Sequence, residues 1–167
     1  MFILLVAGAA VMATSYFMRY PIDNTSEDIQ KHLIKWENQS SPLSSVELIK
    51  VMRLGGSNTQ VAFYKAGSAA RLAVMEEGFN GNLRIVRSDT QKDKLDYEWI
   101  ETSEGRYGVV TGVNVLKGLA SIQDNLEGLL FGYEIDIPDD PYFMIAKKVP
   151  EEVDKTYSLL RFFSQQN

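Results

Sequence analysis

Cysteine is absent from the 167 residues, and histidine occurs once. Without cysteine there can be no disulfide scaffold, thiolate-ligated zinc, thiol nucleophile or CxxC redox pair. A lipobox anchor, which needs a lipidated cysteine, is excluded as well. Positive charge is also short, with 17 Lys and Arg against 22 Asp and Glu, a formal net charge of −5. Nucleic-acid proteins concentrate a basic face, so no nucleic-acid partner is expected. The twelve glycines build neither GxxxxGK[ST] nor a strand–GxGxxG–helix turn, and HExxH and GxSxG are missing. What is present is the make-up of a globular chain: 45% hydrophobic and 23% charged residues, at a length that fits one domain.

The clearest local signal is the start. Residues 1–18 (MFILLVAGAAVMATSYFM) carry no charge, and Arg19, Tyr20 and Pro21 follow. As a helix this run spans roughly 27 Å, close to the thickness of a hydrocarbon core. Tyr16, Phe17 and Tyr20 fall where aromatic rings favour headgroup depth. Three readings compete. A signal anchor fits the length. A cleaved secretory peptide fits the small residues of Val11-Met12-Ala13, with a cut after Ala13, although no Lys or Arg precedes the apolar run. A buried core helix would need apolar neighbours on every side. The anchor is the expectation, with membrane contact through residues 1–20. Arg19 alone, counted by the positive-inside rule, would keep the body in the cytoplasm. A basic stretch upstream of this start would reverse that count, and the exported orientation is the one carried forward.

Composition changes at Pro21. Thr25 can cap a helix, Asp28 sits three residues on, and Glu27 and Asp28 suit the positive end of its dipole. Ile29, Leu33 and Trp36 give one apolar stripe on a helix reaching about Glu37. Residues 38–45, with Pro42, read as a loop. Beyond them the period drops to two. Strands are expected over 46–54, 60–65, 69–75, 83–87, 95–99, 107–113, 129–137 and 142–147. They are separated by turns such as Gly55-Gly56-Ser57-Asn58 and by Asp124-Asn125. Residues 151–163 fit either a helix, through Val153, Tyr157 and Leu160, or a strand. The fold class predicted is α+β: an N-terminal transmembrane or signal-anchor helix, then one amphipathic helix packed on a twisted antiparallel β-meander sheet. Residues 21–167 are read as a single extracytoplasmic domain.

Candidate chemistry is sparse. His32 is the usual type of general base and metal ligand, but no second ligand stands at metal spacing, so a partly exposed helix residue is expected. Glu134, Asp136, Asp139 and Asp140 gather oxygens of the kind Ca²⁺ takes, without EF-hand spacing, so a solvated strand face and turn is expected. Asp96, Glu98, Glu101, Glu134 and Asp136 offer carboxylate pairs of the type glycoside hydrolysis uses. Arg84, Arg87, Lys92 and Lys94 are interrupted by Asp89 and Asp93 and read as mixed-charge surface. Phe63, Tyr64, Tyr97, Trp99, Tyr107, Tyr133, Tyr142 and Phe143 fall on predicted strands and should be mostly core, with a few left to line a groove. No residue is assigned a catalytic, cofactor-binding or metal role.

The segments Val61-Ala62-Phe63-Tyr64-Lys65 and Tyr97-Glu98-Trp99-Ile100-Glu101-Thr102, with YEIDIPDDPYFMIAKKVP from Tyr133 to Pro150, follow a lone apolar start. Together they resemble small membrane-anchored exported proteins of Gram-positive bacteria, a likeness that brings no activity and no site residue. Function is therefore expected to be binding: an anchored accessory protein with a protein, peptide or glycan partner on the sheet face. The alternatives are a small exported hydrolase using sheet-face carboxylates, and a cytoplasmic domain on a reversed anchor.

Overall fold

A computed structural model describes residues 14–39, 45–91, 95–113, 119–126, 132–136, 138, 140–151 and 158–164, with backbone alone for 119–126, 132–136 and 158–164. The chain is α+β, mainly antiparallel sheet with little helix. It divides into two compact units, residues 1–53 with 58–90, and residues 54–57 with 91–167.

In the first unit, residues 14–19 are helical, and α1 runs Ser26–Asn38. Its start follows the expected chemistry: extended Thr25 caps it, its hydroxyl accepting from the Asp28 N–H at 3.3 Å. The Asp28 carboxylate reaches back to the Asp23 N–H at 2.8 Å rather than to the cap's own amide. Ile29 and Leu33 are buried against the sheet, each worth about 1.5–3 kcal/mol of transfer free energy. The third buried position is Glu37, not Trp36. Positions 29, 33 and 36 span about 60° of the helix circumference and 29, 33 and 37 about 80°, so the period alone does not select Glu37. Arg71 and Tyr64 hold its carboxylate on the buried side, and Trp36 lies half-buried on the flank.

Four strands follow in chain order as a meander, β1 (Val46–Arg53), β2 (Thr59–Ala66), β3 (Ala69–Glu77) and β4 (Leu83–Thr90). Gly67, at φ +61°, makes the tight β2–β3 turn that a Cβ would strain. Ala62, Tyr64, Ala73 and Met75 form the core beneath Ile29 and Leu33. Two register shifts bend the edges: Ile49 is extra between Leu48 and Lys50, and Val86 between Ile85 and Arg87. Ile22 exchanges both backbone hydrogen bonds with Leu83, at 3.1 and 2.7 Å, and so ties the incoming chain to β4. Tyr20 and Ile22 are both buried, so packing begins ahead of Pro21.

The second unit holds two three-stranded sheets. Strands β5 (Leu95–Thr102), β6 (Gly105–Val113) and β9 (Tyr142–Val149) form one, in the order β5-β6-β9. Strands β7 (Leu119–Leu126), β8 (Gly132–Asp136) and β10 (Ser158–Ser164) form the other, in the order β10-β7-β8. One meander was expected, and three sheets are found. Asp124 and Asn125, read as a turn, continue β7, because cross-strand pairing with Leu160 and Leu159 overrides their turn preference. The open choice over 151–163 resolves to strand from Ser158 onward. On β6, Gly108 and Gly112 leave room for the Tyr97, Leu95 and Phe143 side chains to lie across the strand. A Cβ on Gly112 would come 2.5 Å from Leu95 Cδ2 and closer still to the Phe143 ring.

Among the described residues no helix is long and apolar enough to cross a membrane. Residues 1–13, most of the expected transmembrane helix, lie outside them.

Candidate functional site

A cleft of about 270 Å³ opens in the first unit where three elements converge. The segment entering α1 supplies Met18, Arg19, Pro21 and Ile22. One face of α1 supplies His32, Lys35, Trp36 and Gln39, and β4 supplies Arg84 and Ile85. The helix period explains the α1 contribution: once Ile29, Leu33 and Glu37 turn to the sheet, positions 32, 35, 36 and 39 share the flank beside it. The Ile22–Leu83 bridge fixes the opposite wall, since it sets Pro21 next to Arg84.

Three permanent cations, Arg19, Lys35 and Arg84, line the cleft, and among the described residues no carboxylate does. Arg84 is held by Glu76, its Nε donating at 2.9 Å, and that hydrogen bond raises its pKa further. Its guanidinium also sits 5.3 Å from the centre of the Tyr20 ring, a cation–π distance. Lys35 and Arg19 are exposed and meet no carboxylate among the described residues. His32 Nδ1 lies 2.9 Å from the Asp28 carbonyl and 3.4 Å from its carboxylate. The imidazole is thereby oriented along its own helix. Cations, an indole and an apolar floor of Pro21, Ile22 and Ile85 suit an anionic group attached to an apolar body.

Beside the cleft the rim is aromatic. The hairpin between β3 and β4 carries Phe79 at its tip, fully exposed, and Phe79 stacks on Tyr16 at 6.2 Å and 23°. The Phe79 N–H donates to Tyr16 Oη at 2.5 Å. Tyr16 in turn meets Tyr20 at 5.0 Å and Phe17 at 6.4 Å. Gly78 permits this approach: a Cβ there would come 2.5 Å from Tyr16 Oη and 3.0 Å from Tyr20 Cγ. Phe17 and Met18 remain exposed.

Among the described residues the most buried charge lies elsewhere, under α1. The Glu37 carboxylate is 3% exposed and accepts from Tyr64 Oη and from Arg71 Nη1. Burial alone would raise its pKa, but the hydrogen bonds from Arg71 and Tyr64 outweigh that and hold it below its ordinary value. Burial and the Glu37 hydrogen bond together push the Tyr64 phenol well above its usual range. Arg71 is completed by Thr90 Oγ1 at 3.0 and 2.7 Å, and Tyr64 by Ser88 Oγ at 2.5 Å. A carboxylate fixed as anion and a phenol fixed as neutral are poor proton-transfer groups near neutral pH. Their work is to clamp α1 to β2, β3 and β4.

The residues singled out from sequence scatter. Of these, His32 and Arg84 line the cleft, His32 half-buried rather than poised with other ligands. Asp96 and Glu98 alternate onto one face of β5 and Glu101 onto the other, where it lies 3.8 Å from Arg106. Asp140 is exposed; Asp139 and the side chains of Glu134 and Asp136 lie outside the described residues, as do Lys92 and Lys94. Arg87 pairs with Asp89, as a mixed-charge surface does. Phe63, Tyr64, Tyr107 and Phe143 are buried, while Tyr97, Trp99 and Tyr142 are half-buried; the Tyr133 side chain lies outside the described residues. Sequence reasoning missed Lys35, Trp36 and Arg84 as neighbours. Among the described residues no group of three His, Asp or Glu is placed to hold a metal ion. No family model, curated protein or solved structure matches the chain.

Proposed function

We propose that this chain is a membrane-anchored domain carried outside the cytoplasm that acts by binding rather than by catalysis. The carrying observation is the junction at residues 14–22. There an uncharged run leads through a helical stretch into buried Tyr20 and Ile22, ringed by Tyr16, Phe17 and Phe79. Aromatic side chains of this kind favour the headgroup layer, about where an 18-residue apolar helix would end. Binding is favoured over catalysis by the cleft's lining, which pairs cations and an indole with a single imidazole engaged by Asp28.

Cell fractionation tests the anchor: the chain should stay with membranes after alkaline carbonate extraction, at its full 18.8 kDa mass. Protease added to intact cells should degrade the body. Recovery in the soluble fraction, or a body protected until the cells are opened, would remove the anchor or reverse its orientation respectively.

A further inference from the structure

We infer that the cleft and the Phe79 hairpin form one docking surface for the anionic headgroups of a phospholipid bilayer, which lays the first unit against the membrane that anchors it. The inference rests on the anchored reading above. Arg19, Lys35 and Arg84 line a cleft in whose wall no carboxylate stands among the described residues; Glu76 offsets the Arg84 charge from beside it, and Arg19 and Lys35 leave the lining positive, complementary to a phosphodiester. Met18 and Arg19, at the end of the uncharged run, are themselves part of that wall, which places the cleft within one helical turn of the apolar segment's last residue. The hairpin supplies the apolar half: Phe79 projects fully exposed next to Tyr16, and Phe17 and Met18 are exposed on the adjoining helix. An exposed phenylalanine on a tight turn is costly in water and stable among acyl chains, while basic neighbours hold the phosphates. Arg84 joins the two halves, touching the Tyr20 ring on one side and the cleft on the other.

The test uses the full chain in vesicles of phosphatidylcholine, alone or with one part phosphatidylglycerol to two. Trp36 lines the cleft, so its quenching by lipid brominated near the headgroup reports docking; Trp99→Phe silences the other indole. Quenching should appear with the anionic lipid and fade in 1 M salt, where the screening length falls to about 3 Å. Lys35→Gln should weaken docking about fivefold, the effect of one cation at an anionic surface. Phe79→Glu should abolish it while circular dichroism and vesicle flotation stay as in the parent. Equal quenching in neutral and anionic vesicles, or indifference to both substitutions, overturns the inference and leaves the anchor standing. Failure to float with either vesicle overturns the anchored reading itself. A cleft that takes inorganic phosphate in detergent as readily as lipid belongs to a soluble anion, which also overturns the inference.

Discussion

Removing the Arg71 guanidinium exposes how the buried clamp works. In Arg71→Met the Glu37 carboxylate, 3% exposed in the parent, keeps Tyr64 as its remaining donor. Losing one partner of a buried pair costs about 3–5 kcal/mol. Arg71 is 27% exposed and the phenol still donates, so we expect a cost just under that range, about 2–3 kcal/mol. For a chain of this size that lowers the melting temperature by roughly 5–10 °C. Glu37→Leu should cost less, about 1–2 kcal/mol, because Arg71 keeps Thr90 and water, and Tyr64 keeps Ser88. The double variant should lose less than the two single losses combined, since no orphaned charge is left. Acid adds a signature. Glu37 titrates below its unfolded value near 4.5 in the folded chain, so its contribution is present above that pH and lost as pH falls through the folded value. In Arg71→Met burial acts with less opposition, the carboxyl protonates sooner, and the deficit should narrow as pH drops towards 4. Urea denaturation of the four proteins at pH 7 and pH 4 reads all of this. Strict additivity, or Glu37→Leu costing more than Arg71→Met, would refute the clamp as described.

Three further outcomes are expected. Gly112→Ala should destabilise the second unit by about 1–3 kcal/mol through its clash with Leu95 and Phe143, measurable by the same denaturation. Thr25→Ala should cost about 1 kcal/mol by removing the α1 cap, with a matching loss in helix circular dichroism. Tyr64 ionises above its unfolded value of 10.0 in the folded chain, so its share of stability is intact below pH 10 and declines above it by about 1.4 kcal/mol per unit. Tyr64→Phe should be less stable at pH 7 yet show a shallower alkaline decline.

Local structure was largely legible. The Thr25 cap, the α1 limits and the strands from Val46 to Val113 follow from capping residues, period-two alternation and glycine turns. Partners distant in sequence were not. Nothing in the pattern says that β6 skips to β9, or that β10 returns to β7, because alternation fixes which face a residue takes and not which strand lies beside it. Glu37 was invisible for a related reason: a carboxylate at the end of an apolar stripe looks solvent-facing until Arg71 and Tyr64, from other strands, arrive around it. The cleft shares that cause. Arg19, Lys35 and Arg84 come from three elements, and the Ile22–Leu83 bridge and the Arg84–Tyr20 contact bring the first and last together.

The strand orders carry a consequence for how the chain is made. The first unit's sheet closes by hairpins between successive strands, so each new strand finds its neighbour as soon as it emerges into the compartment where it folds. Strand β6 has to wait: Arg106 meets Val149 only after β7 and β8 have been synthesised, and β7 waits in turn for the last residues of the chain. The amino-terminal sheet should therefore be complete while the remainder holds only its β5–β6 and β7–β8 hairpins with open edges, and a chain cut short after β8 would be a half-built product suited to chaperones and proteases.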